Sequence, residues 1–296
     1  MNRFAVITDS CADLTKDLRD KYDVDYVNMR YIYDEKDVPA SLDWEYMPYH
    51  DFYDLMRNGT RIKTAQVPNG DYEEKFTYYL EKGCDILSIS CSSALSSSFF
   101  ASEKIAESLK AKYPDRKIYC VDALNSCMGE GIMVMWASTM RAAGKTIDEV
   151  YAEIEAHKLE INQFATVQDL TYLKRAGRVK AAAAFFGGLM QVKPIIVSDA
   201  QGQNFAVEKV KGRKPSISRI IDLFVESYNK DADFKEVFVA HADDEPTALE
   251  MKAALQEKLG DKVTVSVSVI GPIVGASVGP GTVAIYGFGK KVTVNE

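Results

Sequence analysis

Hydrophobic and polar positions along this chain follow two rhythms. From residue 4 to about residue 143, short apolar runs alternate with longer stretches whose apolar residues recur every three or four positions. Phe4–Ile7, Asp85–Ser90 and Lys117–Val121 read as buried strands. A helix from about Leu14 follows the first. Behind the second, Ala101, Ile105 and Leu109 recur at every fourth position, one buried stripe of a helix reaching about Lys112. Behind the third, a long apolar helix runs toward Ala143. Strands that alternate with helices predict a parallel, doubly wound sheet.

After the polar helix Asp148–Glu160 the rhythm changes. Phe164–Val167 reads as a short strand, followed by a helical run that breaks near Gly177. Lys193–Ser198 and Phe205–Lys211 read as strands joined by the turn signal Asp199-Ala200-Gln201-Gly202, an antiparallel hairpin. Helices over Pro215–Tyr228 and Pro246–Leu259 and strands over Val237–His241, Val263–Ile270 and Thr282–Gly287 complete an α+β pattern. The expected fold class is therefore α/β with two domains: an N-terminal doubly wound parallel sheet over residues 1–160, and a C-terminal α+β domain with a mixed or antiparallel sheet over residues 161–296. The glycine-rich stretch 271–282 lacks the lysine of a phosphate-binding P-loop and reads as a loop between two strands, with no helix behind it. The apolar stretch 178–190 reads as core helix, or as the lining of an elongated apolar cavity with Arg178 at its rim.

Composition narrows the function classes. Apolar residues make up 47% of the 296, enough for a sizeable core. No run approaches the roughly 20 apolar residues of a membrane span, so no stable membrane insertion is expected. The five cysteines are odd in number and show no CxxC spacing, which predicts reduced thiols packed as small apolar residues. Net charge is -7 with basic residues scattered, a poor match to nucleic acid. The opening Met1–Ile7 reads as a first strand and does not resemble a signal peptide, so a cytoplasmic address is expected.

Candidate chemistry lies in three loops leaving the carboxyl edge of the predicted parallel sheet: Thr8-Asp9-Ser10, Ser90 to Ser98, and Asp122 to Ser126. All are rich in small hydroxyls, and the serine loop runs into a helix N-terminus, where free N–H groups and the helix dipole favour an anion. A carboxylate or phosphate is the expected ligand group. Helix capping and turn formation account for such residues equally well taken one loop at a time. A serine nucleophile, Ser93 or Ser10, would need a base. Of His50, His157 and His241, only His241, at a strand end, is placed near a cleft, and no GxSxG elbow is present. His50 falls in a surface helix. A serine-dependent acyl hydrolase and a binding protein for a small phosphorylated metabolite are thus alternative readings.

Several separated motifs together resemble the DegV family, including the fatty-acid-binding subunits of bacterial fatty acid kinase. They are Ile7-Thr8-Asp9-Ser10 with Asp13-Leu14, and Lys63-Thr64-Ala65-Gln66-Val67-Pro68, which is similar to K-T-S-Q-P. Ser92-Ser93-Ala94-Leu95-Ser96-Ser97-Ser98 is similar to S-S-G-L-S-G-T, followed by Val121-Asp122. Gly177-Arg178-Val179, Lys193-Pro194-Ile195, Ala240-His241-Ala242 and the stretch Gly271 to Gly281 follow in family order. The resemblance implies a long-chain fatty acid enclosed between two domains. Its carboxylate would be held by Thr64, Ser93 and the amide of Ala94, with Arg178 near the headgroup and a kinase-docking face. It implies no catalysis by this chain and no cofactor other than the bound fatty acid. A separate ATP-dependent fatty acid kinase subunit would be the partner. Ser277 stands where the family has histidine. It keeps hydrogen-bonding capacity but cannot carry a positive charge.

Overall fold

The computed structural model describes residues 4–180 and 191–295. The elements of the first half are β1 (Phe4–Asp9), α1 (Lys16–Tyr22), β2 (Val24–Val27), β3 (Arg30–Tyr33), β4 (Lys36–Pro39), α2 (Tyr49–Arg57), β5 (Lys63–Ala65), α3 (Asn69–Glu81), β6 (Asp85–Ser90), α4 (Ser98–Lys110), β7 (Ile118–Asp122), α5 (Met128–Ala142) and α6 (Ile147–His157). The second half holds β8 (Ile161–Thr166), α7 (Leu170–Ala176), β9 (Val179–Lys180), β10 (Val192–Ser198), β11 (Asn204–Lys211), α8 (Arg213–Ser227), β12 (Glu236–His241), α9 (Glu245–Leu259), β13 (Thr264–Val269), α10 (Pro272–Val278) and β14 (Val283–Phe288).

Strands β2, β1, β6 and β7 lie side by side in that order, all parallel. Helices α3 and α4 pack together over its strands, as do α5 and α6. With both faces covered, β1 and β6 are buried at every position, as continuous apolar runs in a parallel sheet require. The expected α/β class with a parallel N-terminal sheet is what the chain adopts.

The second sheet is mixed, with the order β13-β12-β14-β8-β10-β11-β9. Its neighbours are antiparallel except for β12 with β13 and β9 with β11. The strand period of two sorts its side chains between two cores. Val237, Val239, Val283 and Ile285 face α8 and α9, against Ile220, Phe224, Met251 and Leu255. Phe238, Ala240, Ala284 and Tyr286 join the large cluster that also contains the parallel sheet. Helix α5 lies where that cluster is shared, touching β1, β6, β8, β12 and β14. Twelve of its fifteen residues are buried, the signature of a helix with no solvent face.

Two elements depart from the sequence expectation. Strands β4, β3 and β5 form a small antiparallel sheet that residues 24–65 did not announce. Its strands are three or four residues long and partly polar, too short to show a period. The glycine-rich stretch contains a helix, α10, where none was expected. Its glycines reflect close packing. A Cβ on Gly275 would stand 2.4 Å from the Tyr53 hydroxyl, and one on Gly271 would stand 2.1 Å from Asp13 Oδ1. Of the apolar stretch 178–190, the portion 181–190 lies outside the described residues.

Candidate functional site: a cavity at the carboxyl edge

Because β1, β6 and β7 are parallel neighbours, the three hydroxyl-rich loops do leave one edge of the sheet. Carboxylates knit them together. Asp9 accepts the N–H of Cys11 (2.9 Å) and of Cys91 (3.0 Å), joining the first loop to the second. Burial raises the Asp9 pKa to about 6 against the pull of those two bonds. Asp122 Oδ1 accepts from the N–H of Ser93 (3.1 Å) and of Leu124 (3.0 Å), fixing the second loop to the third.

Several hydroxyls serve the fold. Ser10 Oγ accepts the Met29 N–H (2.9 Å). Ser92 Oγ donates to Gly202 O (2.8 Å), docking the tip of the β10–β11 hairpin onto the serine loop, and accepts from the Ala94 N–H (3.3 Å). Ser96 Oγ accepts the Ser98 N–H at the start of α4 (3.2 Å).

Beside these loops is a cavity of about 170 Å3. The serine loop contributes Leu95, Ser96 and Ser97. Thr64 and Gln66 come from β5 and the residue after it, and Ser277 and Val278 from α10. Arg178, between α7 and β9, closes one side. Its Nε donates to Leu95 O (3.0 Å) and its Nη1 to Ala176 O (3.0 Å), tying the second half of the chain to the serine loop. Met29, Ile273, Val274 and Val179 supply apolar wall. Four lining hydroxyls, those of Thr64, Ser97, Ser126 and Ser277, have no hydrogen-bond partner among the described residues. Ser97 also caps the thirteen-residue α4 without a side-chain bond, leaving that helix N-terminus at the cavity wall.

A second cavity of about 340 Å3 adjoins the first, sharing Thr64, Ala176, Arg178 and Ser277 as common lining. Its own wall includes Arg61, Lys63 and Arg175. The compartment is thus apolar with hydroxyls on one side of these shared residues and cationic on the other.

Of the residues singled out from the sequence, Thr64, Arg178 and Ser277 line the first cavity. Ser10, Ser93, Ala94 and His241 are not among its lining residues. The Ser10 hydroxyl and the Ser93 and Ala94 amides are engaged within and between loops, as described above. His241 is buried at the end of β12, and its Nδ1 accepts the Asp244 N–H (3.2 Å). No hydrogen bond joins it to Ser10 or Ser93 among the described residues, so the nucleophile–base contact that acyl hydrolysis needs is not formed there. His50 lies on the exposed side of α2, within 2.5 Å of Asp243. Ser97 and Ser126 stand in loops the sequence had marked, yet nothing in the sequence says which hydroxyls face inward. Arg61 and Lys63 come from the stretch leading into β5 and Arg175 from α7, and nothing in the sequence says that these two short basic stretches meet.

The geometry has close parallels. The sequence profile of the DegV family, described as uncharacterised proteins, matches residues 3–289. A DegV domain-containing protein of Clostridium perfringens is 33% identical, covering 98% of each chain. The structure of DegV, a fatty acid binding protein from Bacillus subtilis, is similar with a TM-score of 0.82 and 26% identity over 98% of this chain and all of the other. A DegV family protein from Thermus thermophilus, solved for its fatty acid binding, is similar with a TM-score of 0.85 and 26% identity over 97% of this chain and 99% of the other. By fold, by the order of its motifs and by this end-to-end likeness, the chain belongs to the DegV family.

Proposed function

We propose that this protein binds one long-chain fatty acid, with the acyl chain along the apolar wall and the carboxylate where the two cavities meet, at Thr64, Ser277 and Arg178. The observation that carries this reading is the set of hydroxyls that have no partner among the described residues and share a cavity with the apolar wall of Met29, Ile273, Val274 and Val179. Neutral donors together with the dipole of α4 can satisfy a carboxylate without a buried lysine. The fatty acid binding of the Bacillus subtilis and Thermus thermophilus relatives supports it. Burying about 15 methylenes at about 0.8 kcal/mol each contributes on the order of 12 kcal/mol before association costs, so the headgroup need supply little. The chain itself would catalyse nothing. It would present the carboxylate to a separate ATP-dependent kinase, for which the cationic wall of Arg61, Lys63 and Arg175 offers a complement to phosphate.

Mild purification, solvent extraction and mass spectrometry should recover about one fatty acid per chain. Protein that is empty and also fails to take up added oleate would refute the reading. The same cationic wall favours a second reading, a small phosphorylated metabolite, and a short polar phosphate-bearing compound in the extract would decide for it. Thr64→Ala should weaken fatty acid retention by about 1–3 kcal/mol, the cost of an anion losing a donor. Retention would be measured by displacement of a fluorescent fatty acid.

A further inference from the structure

A group of thiols and acids at the edge of the cavity takes no part in the fatty acid reading. Cys11, from the loop after β1, and Cys91, from the loop after β6, line the cavity. Glu130 reaches them from α5. The two sulfurs and a carboxylate oxygen lie within 4.8 Å of one another, and all three residues are buried. Thr8 Oγ1 donates to Glu130 Oε1 (2.7 Å), while Glu130 Oε2 is buried with no hydrogen-bond partner. A helix packed on all sides by apolar residues gains nothing from an acid at this position unless something meets that oxygen.

The three groups lie close to two further buried acids, Asp9 and Asp13. Burial and the nearby Asp9, Cys11 and Asp13 all push the Glu130 carboxyl up. The Cys11 thiol is raised by its hydrogen bond with Cys91, by burial, and by Asp9 and Asp13. Cys91 is lowered by that bond, but burial and the Glu130, Asp9 and Asp122 carboxyls outweigh it and leave it at about 11.

We propose that Cys11, Cys91 and Glu130 form a three-ligand site for a thiophilic divalent cation of the zinc class, set in the cavity wall. Two sulfurs and one carboxylate are a donor set for zinc rather than for magnesium or calcium. Tetrahedral zinc with bonds of about 2.3 Å places its sulfurs roughly 3.8 Å apart, so the existing spacing needs a contraction of about 1 Å at most. Thr8 acts as the outer partner that orients the carboxylate. Cys11 and Cys91 line the cavity, from which the ion would enter. Binding replaces two S–H bonds with two sulfur–metal bonds and releases both protons to solvent. Glu130 releases its own proton where it carries one, and no electrons are transferred. Uptake therefore strengthens as pH rises.

The site uses none of the residues assigned to the carboxylate, and its test, which reads bound metal, is separate from that of fatty acid binding. Reduced, chelator-treated full-length protein should take up one equivalent of Co2+ with a sulfur-to-cobalt charge-transfer band, and Zn2+ should bleach that band. Cys11→Ser and Cys91→Ser should each abolish the band. Thr8→Val should weaken uptake by about 10- to 100-fold, the usual effect of losing an outer partner. Cadmium NMR on the wild-type protein counts the bound sulfurs without any substitution, so a variant that fails to fold does not decide the matter. A resonance for two sulfurs supports the site. An oxygen-only resonance, no charge-transfer band at stoichiometric Co2+, or a band that persists in both folded cysteine variants overturns it.

Discussion

The ring of His241 is buried at the end of β12, and burial lowers its pKa despite the carboxylates of Glu245, Asp244 and Asp243 nearby. A histidine in the unfolded chain keeps its ordinary value of 6.5. Over the interval between the two midpoints, the unfolded chain binds more protons than the folded one. The stability contributed by this residue is thus complete above the unfolded value and is lost as pH falls through the folded one. His241→Asn keeps an acceptor for the Asp244 N–H without the titration. The wild-type urea midpoint should drop more than the variant's between about pH 7 and about pH 5. At this scale the sequence was only partly legible. It marked the hydroxyl loops, because their composition is local. It could not separate Ser97, which lines the cavity, from Ser93, whose N–H is bound to Asp122. Four residues of loop geometry decide which side chain turns inward, and no period encodes that.

Among the elements, the hairpin β10–β11 was read from two strand-like runs and the turn signal between them. The structure adds the reason for Gly202. It sits at φ +74, and a Cβ there would lie 2.3 Å from Ser92 Oγ and 2.8 Å from the Leu124 backbone. Gly202→Ala should destabilise the protein by about 1–3 kcal/mol, through left-handed strain and loss of hairpin docking. A denaturation midpoint would measure it. Helix α10 was missed because glycine is a poor helix former and the stretch 271–281 is rich in it. Tertiary contact overrides propensity there. Tyr53 donates to Ile270 O (2.6 Å), and the ring crosses so close to Gly275 that no other side chain fits. Gly275→Ala should therefore displace Tyr53 and lower the thermal midpoint, while Gly144→Ala, with open space around its Cβ position, reports the left-handed strain of Gly202→Ala without the clash. The sheet β4-β3-β5, which brings Thr64 to the cavity, was invisible for a different reason: β5 pairs with β3 across a long stretch of chain, and each strand is too brief to alternate.

Across the whole molecule, the two sheets share one hydrophobic cluster through α5. Calorimetry should accordingly find a single transition with matching calorimetric and van't Hoff enthalpies, in place of two separate meltings. The alternation of strand and helix made both sheets legible, since each strand's period records whether one face or two are covered. Their shared core was not legible, because periodicity shows that a helix is apolar all round without saying what surrounds it. The cavity wall is drawn from both halves as well, with Arg178 hooked to Leu95 O. An occupant that binds only the folded chain at a hundred times its dissociation constant should add about 2.7 kcal/mol to that one transition.

The position of α5 bears on how the chain matures during synthesis. Residues 128–142 leave the ribosome before β8, β12 and β14 exist to clad their outer side, and Trp136 waits for Phe288, its ring partner at 5.1 Å, which is made much later. Until then a nascent chain would display a greasy flank to every passing protein, which makes this stretch a natural stopping place for chaperones.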